Sequence, residues 1–169
     1  VEKIVEFKDA NDAEKAVREI NTGTYAFNNQ SLFEGLKHLN NNNAQHEYYL
    51  TDLVDILKKL GKKVIAIPCD DWQEVQGING NVELAHAAKY MQERINTEWM
   101  KKGVTIYDPN TTYIGPNVTF GTDVIIHPNT YLYGDTVVED YAEILPSTWL
   151  EDANVSKAET VGPFIRRKG

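Results

Sequence analysis

The chain has 169 residues, a formal net charge of −8 and 41 % apolar residues, with a sequence pI near 5.0. That excess of carboxylates argues against a phosphate-backbone partner, which needs a concentrated positive surface. No apolar run approaches the roughly 20 residues that span a bilayer. The single cysteine, Cys69, excludes an internal disulfide and fits a reducing, cytoplasmic setting.

The first hundred residues alternate strand and helix signals. Val1 to Phe7 alternates apolar and polar positions and predicts a strand. Asp9 to Asp12 is turn chemistry. Val17 to Phe27 predicts a second strand, with Gly23 marking a bulge or close backbone approach. Asn28 or Asn29 is placed to cap a short helix ending near Leu39, before the polar loop NNNNAQ. Leu50, Leu53, Val54, Leu57 and Leu60 recur at helical spacing, with Thr51 or Asp52 at the start and Gly61 as the stop. Val64 to Ile67, ended by Pro68, predicts a buried strand. Helices between strands argue for an α/β layer.

Residues 74 to 81 read EVQGINGN and precede a long helical stripe of Leu84, Ala88, Met91, Ile95 and Trp99 that ends at Gly103. Asn81 suits the N-cap and Glu83 the positive end of the dipole. Capping leaves Asn79 unexplained.

From Ile114 the period becomes six. Ile114, Phe120, Ile126, Leu132, Val138, Ile144 and Leu150 are apolar, and a small or β-branched residue follows four positions after each, except Asn154 after Leu150. A one-residue slip carries the pattern on to Val155 and Val161. This predicts a hexapeptide-repeat β-helix of two or three coils, three repeats per coil, with the large apolar side chain inward. The open last coil leaves strand edges that need a cover. The strand-like start and the end within a repeat predict a piece of a longer protein.

Several stretches in this order, VEFKDA, EINTG, NNNNAQHEYYLTD, EVQGINGN and the hexapeptides ending in GPF, resemble the bacterial bifunctional enzymes that make UDP-N-acetylglucosamine. Those join an N-acetylglucosamine-1-phosphate uridyltransferase to a glucosamine-1-phosphate acetyltransferase. The resemblance covers nearly the whole chain. It implies an α/β fold in three parts. Residues 1–80 are the C-terminal part of a Rossmann-like uridyltransferase domain, 81–103 a linking helix, and 104–169 the first coils of a left-handed β-helix acetyltransferase domain.

The resemblance also implies site residues. Glu6 matches a glutamate of the sugar-nucleotide pocket; its alternative is a solvated strand-end carboxylate. Asn21 matches an asparagine that faces the sugar, where a donor and an acceptor suit hydroxyls and an N-acetyl group; its alternative is a turn residue beside Gly23. The loop and helix start supply Glu47, Tyr48, Tyr49 and Thr51, whose alternative is a packed loop-to-helix junction. Asn79 matches a side-chain oxygen ligand of Mg²⁺, the other protein ligand being an aspartate not found in this chain. Lys168 stands where a sugar-phosphate arginine is expected in GPFIRRKG, without the proline that follows in the family. A solvated basic tail is the plainer reading of Arg166 to Lys168.

The implied partners are UTP, N-acetylglucosamine-1-phosphate and UDP-N-acetylglucosamine, with Mg²⁺, with acetyl-CoA as substrate of the acetyltransferase half, and with a homotrimer formed through the β-helix. No glycine-rich phosphate loop occurs, so the chain alone is expected not to turn over and has no catalytic residue of its own. A non-catalytic hexapeptide-repeat assembly module, or a nucleotidyltransferase for another sugar-1-phosphate, remains the alternative. The four histidines have no metal-ligand spacing, and Cys69 beside Asp70 and Asp71 has no cationic neighbour to make it a nucleophile.

Overall fold

The computed structural model describes all residues, Val1–Gly169. They form two compact units, Val1–Gly77 and Ile78–Gly169.

The first unit is built from short helices and extended segments. Helix α1 (Asp12–Lys15) opens on a capping box in which Asn11 and Glu14 satisfy each other's backbone N–H groups. Helix α2 (Asn29–Leu36) is capped by Asn28, whose side chain accepts from Ser31 N, and it ends one turn before Leu39. A 3₁₀ turn, Leu50–Asp52, leads into α3 (Leu53–Lys59). Leu53, Val54 and Leu57 are buried. Gly35 lets α2 approach α3 closely: a Cβ there would lie 2.9 Å from the Leu53 side chain. Gly61, with φ +72, turns the chain out of the helix.

The three strands predicted for Val1 to Phe7, Val17 to Phe27 and Val64 to Ile67 do not form, so no Rossmann-like sheet is present in this unit. A strand exists only by pairing, and none of these segments has a ladder partner. The apolar composition is real, but Ile20 and Ile67 are more than 80 % exposed.

In the second unit, α4 (Asn81–Lys101) starts one residue earlier than expected. Gly80 is the N-cap, without a side-chain bond, and Asn81 is the first helical residue. Only the C-terminal part of the apolar stripe is used. Ile95 and Trp99 pack on the solenoid core, whereas Leu84 and Met91 are exposed. Two polar residues join the helix to the first coil. Gln92 Nε2 donates to the carbonyls of Pro109 and Thr112, at 3.0 and 2.9 Å. Asn96, fully buried, donates through Nδ2 to the same two carbonyls, at 2.9 Å each. Asn96→Ala is expected to lower stability by about 1–3 kcal/mol, the range for a buried polar pair broken on one side; the chemical-denaturation midpoint is the check.

Eleven short strands follow: β1 (Thr105–Ile106), β2 (Thr112–Ile114), β3 (Thr119–Phe120), β4 (Ile125–Ile126), β5 (Thr130–Tyr133), β6 (Val137–Val138), β7 (Glu143–Ile144), β8 (Trp149–Glu151), β9 (Asn154–Val155), β10 (Thr160–Val161) and β11 (Arg166–Lys168). They stack into three parallel sheets, ordered β1-β4-β7-β10, β11-β8-β5-β2 and β3-β6-β9. This is nearly four coils rather than two or three. The first coil opens at Thr105, and the turn Pro109–Thr111 interrupts the period there. The last strand lies past the apolar pattern.

Register explains the slip. Ile126 stands over Ile144 and Ile114 over Leu132, one coil apart at 18 residues. Val138 stands over Val155, one residue shorter, so Ala153 rather than Asn154 fills the buried small position. The inward residues Ile126, Leu132, Val138, Ile144, Leu150 and Val155 have no exposed surface. Phe120 is half-buried and meets Trp99 edge-on at 4.9 Å. Threonine is tolerated inside because each hydroxyl bonds a nearby carbonyl: Thr112 to Asp108, Thr130 to His127, Thr136 to Tyr133 and Thr148 to Leu145, at 2.6–2.8 Å.

Candidate functional site

Within the first unit, two distant residues from the sequence reading meet. Thr51 donates its hydroxyl to Glu6 Oε1 at 3.1 Å, across 45 positions of sequence. Thr51 is 7 % exposed and does not cap α3. Glu6 is half-buried and keeps its second carboxylate oxygen for another donor. Asn21 is exposed, and its Oδ1 accepts from Gly23 N at 3.2 Å. That is an Asx turn made possible by the positive φ of Gly23. The carboxamide NH₂ remains directed elsewhere.

Tyr25 joins this group, and nothing in the sequence reading singled it out. Burial raises its phenol above the usual value; the neighbouring Asn21 side chain opposes that rise and the Glu6 charge adds to it. Asp52, next to Thr51, has its carboxyl raised above the ordinary carboxylate value by burial, then by the charges of Glu6, Asp55 and Asp9.

The NNNNAQ loop is tied to the segment after Glu6. Asp9 Oδ1 accepts from Ala44 N at 2.8 Å, and Lys8 Nζ donates to Gln45 Oε1 at 2.5 Å. Gln45 Nε2 in turn donates to the Tyr49 hydroxyl at 2.8 Å. Burial raises the Tyr49 phenol; Gln45 lowers it, and Asp9 and Glu47 raise it further. Tyr49 is thus a packed junction residue, while Tyr48 is 69 % exposed. Glu47 is exposed, its backbone carbonyl and N–H held by Asn43.

Asn79 belongs to the second unit and is exposed, just ahead of the Gly80 cap. It offers one neutral oxygen. No group of three or more His, Cys, Asp or Glu residues is placed to hold a metal. A divalent ion such as Mg²⁺ needs several oxygen ligands, so the donor set of this chain does not by itself fit one.

The basic end is a paired strand whose three side chains are exposed. Arg167 bonds Glu159 and the carbonyl of Asn154, Lys168 bonds Glu151 at 3.0 Å, and Arg166 lies over the Trp149 ring. Hydrogen bonds from Ser156 and Arg167 hold the Glu159 carboxyl below its usual value. A further feature follows the 18-residue coil. Tyr113, Tyr131 and Trp149 form an outward ladder with ring centroids 5.0 and 5.2 Å apart.

Three parallel sheets wound from hexapeptide repeats, with buried threonines at the small positions, define a hexapeptide-repeat β-helix protein. No family model matches the chain. Curated relatives do, each called "Bifunctional protein GlmU". One from Geobacillus sp. (strain WCH70) is 48 % identical over 161 residues, 95 % of this chain and 35 % of the relative. One from Latilactobacillus sakei subsp. sakei (strain 23K) is 46 % identical over 180 residues, 96 % of this chain and 39 % of the relative. One from Streptococcus agalactiae serotype V (strain ATCC BAA-611 / 2603 V/R) is 48 % identical over 161 residues. Over the length it covers, the chain is homologous to these bifunctional GlmU proteins. It spans about 35–40 % of the length of the curated relatives it matches. No helix is long and apolar enough to cross a membrane.

Proposed function

We propose that this chain serves the synthesis of UDP-N-acetylglucosamine from UTP and N-acetylglucosamine-1-phosphate. Residues 1–80 would form the sugar side of a uridyltransferase pocket, 81–103 a linking helix, and 104–169 the opening coils of an acetyltransferase β-helix that acts on glucosamine-1-phosphate with acetyl-CoA in a cytoplasmic homotrimer. The observation that carries the reading is the Glu6–Thr51 hydrogen bond. It pairs a charged acceptor with a hydroxyl, groups that read sugar hydroxyls and an amide N–H.

Binding and orientation are what these residues contribute. Glu6 accepts from sugar hydroxyls or from the amide N–H, while Thr51 fixes the carboxylate. Asn21 donates to an acyl oxygen. In nucleotidyl transfer the sugar-phosphate oxygen attacks the α-phosphorus of UTP and pyrophosphate leaves, so holding the sugar still supplies much of the rate. In this reading Glu47, Tyr49 and Thr51, on the loop and helix start, would add contacts to the sugar. In this reading Asn79 would offer one oxygen to a Mg²⁺ whose other ligands lie outside this chain, and Lys168 would be a sugar-phosphate contact of the acetyltransferase half. Without a phosphate-cradling loop, the 169 residues alone are expected to hold sugar without turning over.

Calorimetry with UDP-N-acetylglucosamine on the intact protein tests this. Asn21→Ala is expected to weaken binding by about tenfold, the loss of one ligand hydrogen bond of roughly 1.4 kcal/mol. Unchanged affinity would remove Asn21 from the site.

A further inference from the structure

The loop that carries Glu47 and Tyr49 has no core of its own. No residue from Lys37 to Leu50 is buried. Its own side chains shape it: Asn43 Oδ1 accepts from Gln45 N and Glu47 N, at 3.2 Å each, and Asn40 Oδ1 accepts from Asn42 N at 2.9 Å. Those bonds fix the form of the loop but not its place against the rest of the unit. The downstream end is anchored where Thr51 and Leu53 are buried. Ahead of that anchor, two side chains from another segment hold the loop. Asp9 Oδ1 accepts the Ala44 N–H at 2.8 Å, and Lys8 Nζ donates to Gln45 Oε1 at 2.5 Å. Asp9 N in turn donates to the Glu6 carbonyl at 2.9 Å, which ties this pair to the backbone of Glu6.

We propose that Asp9 is a positioning residue of the sugar site: by accepting the Ala44 N–H it latches the loop onto the turn after Glu6 and holds Glu47 and Tyr49 ready for the sugar. This rests on the sugar-site reading of Glu6 and the loop. The physical need is preorganisation. An unlatched loop has to be ordered by the ligand itself, and that ordering is subtracted from affinity. Asp9 is the stronger half of the latch on two grounds. Its carboxylate meets a backbone N–H, so it fixes the main chain rather than another side chain. Its short side chain also loses less freedom than that of Lys8. Gln45 passes the position on, because its Nε2 donates to the Tyr49 hydroxyl at 2.8 Å.

Asp9→Ala and Asp9→Asn, compared in the full-length uridyltransferase of which this chain would be part, test the latch. Asparagine keeps an oxygen for the Ala44 N–H and removes the charge. In Asp9→Ala the KM for N-acetylglucosamine-1-phosphate should rise about fivefold, the loss of one exposed hydrogen bond, with kcat and the KM for UTP unchanged. Asp9→Asn should stay within about twofold of the unaltered protein, because the acceptor remains. Hydrogen exchange at the Ala44 amide, measured without ligand, should quicken in Asp9→Ala and hold steady in Asp9→Asn. An unchanged sugar KM in Asp9→Ala overturns the proposal. So does an Asp9→Asn variant as impaired as Asp9→Ala, which marks a role for the charge itself. Losses shared by kcat and both KM values, with a lower melting temperature, mark a purely structural role and overturn it too. Glu6→Ala separates the latch from the reading beneath it. A sugar KM raised by Glu6→Ala and untouched by Asp9→Ala ends the latch alone. A sugar KM untouched by Glu6→Ala ends the sugar-site reading, and the latch with it.

Discussion

Replacing Ile144 by alanine is expected to lower stability by about 2–5 kcal/mol, the range for deleting a large buried aliphatic side chain. Ile144 has no exposed surface. It lies on β7 between Ile126 of one coil and Val161 of the next, so its side chain is covered from above and below. A solenoid relaxes poorly around such a gap, because the coil spacing is set by ladder hydrogen bonds and not by the side chains. His127 N donates to the Ile144 carbonyl at 2.9 Å and Leu145 N to the Val161 carbonyl at 2.8 Å. Each coil is stabilised mainly by its neighbours, so the loss is felt by the stack. Denaturant titration is the measurement, with Val137→Ala as the control. Val137 precedes the inward Val138, points outward and is 42 % exposed, and its truncation should change stability by no more than about 0.5 kcal/mol. Equal effects at the two positions would mean that the apolar column is not the core.

The contrast between Ile144 and Val137 also shows why the solenoid was readable from sequence. Each inward position repeats six residues later, so an error at one repeat is corrected by the others, and even the slip before Val155 could be seen. The pattern undercounted the coils because β1 precedes the first clean repeat and β11 has no apolar residue to signal it. The first unit was less legible because a strand is a relationship between segments. Val1 to Phe7, Val17 to Phe27 and Val64 to Ile67 have strand composition, yet no ladder forms among them. Helix caps were legible where a side chain does the capping, as at Asn28, and misread where a glycine sits first, as at Gly80. The apolar stripe of α4 concealed that Gln92 and Asn96 make its polar contacts, since a helical period ranks polar residues as outward.

The candidate site divides in the same way. Glu6, Asn21, Thr51 and Asn79 came from motif resemblance. The meeting of Glu6 with Thr51 could not come from spacing, because 45 residues separate them. Tyr25 has the composition of an ordinary strand aromatic and gave no signal of its own. The ladder of Tyr113, Tyr131 and Trp149 had a signal, aromatics 18 residues apart, that the six-residue period overshadowed.

On the sugar-site reading, Glu6→Ala should lower kcat/KM for N-acetylglucosamine-1-phosphate by about 10- to 100-fold in the full-length uridyltransferase of which this chain would be part, with the KM for UTP unchanged. Hydrogen bonds to a charged group are worth roughly 1.5–3 kcal/mol, and each 1.4 kcal/mol is a factor of ten. Half-burial strengthens them relative to water, and Thr51 restrains the carboxylate before any ligand arrives. Two milder variants separate charge from orientation. Glu6→Gln keeps an acceptor of the same length and removes the charge, so it should fall between Glu6→Ala and the unaltered protein. Thr51→Val leaves the carboxylate charged but unrestrained, and should raise KM a few-fold without changing kcat. It also removes the hydroxyl of a buried residue, one that bonds Glu6, so its melting temperature should drop modestly while that of Glu6→Gln changes less. If Glu6→Ala and Thr51→Val instead lose stability together and leave the sugar KM alone, the pair is a fold-stabilising contact and the sugar lies elsewhere.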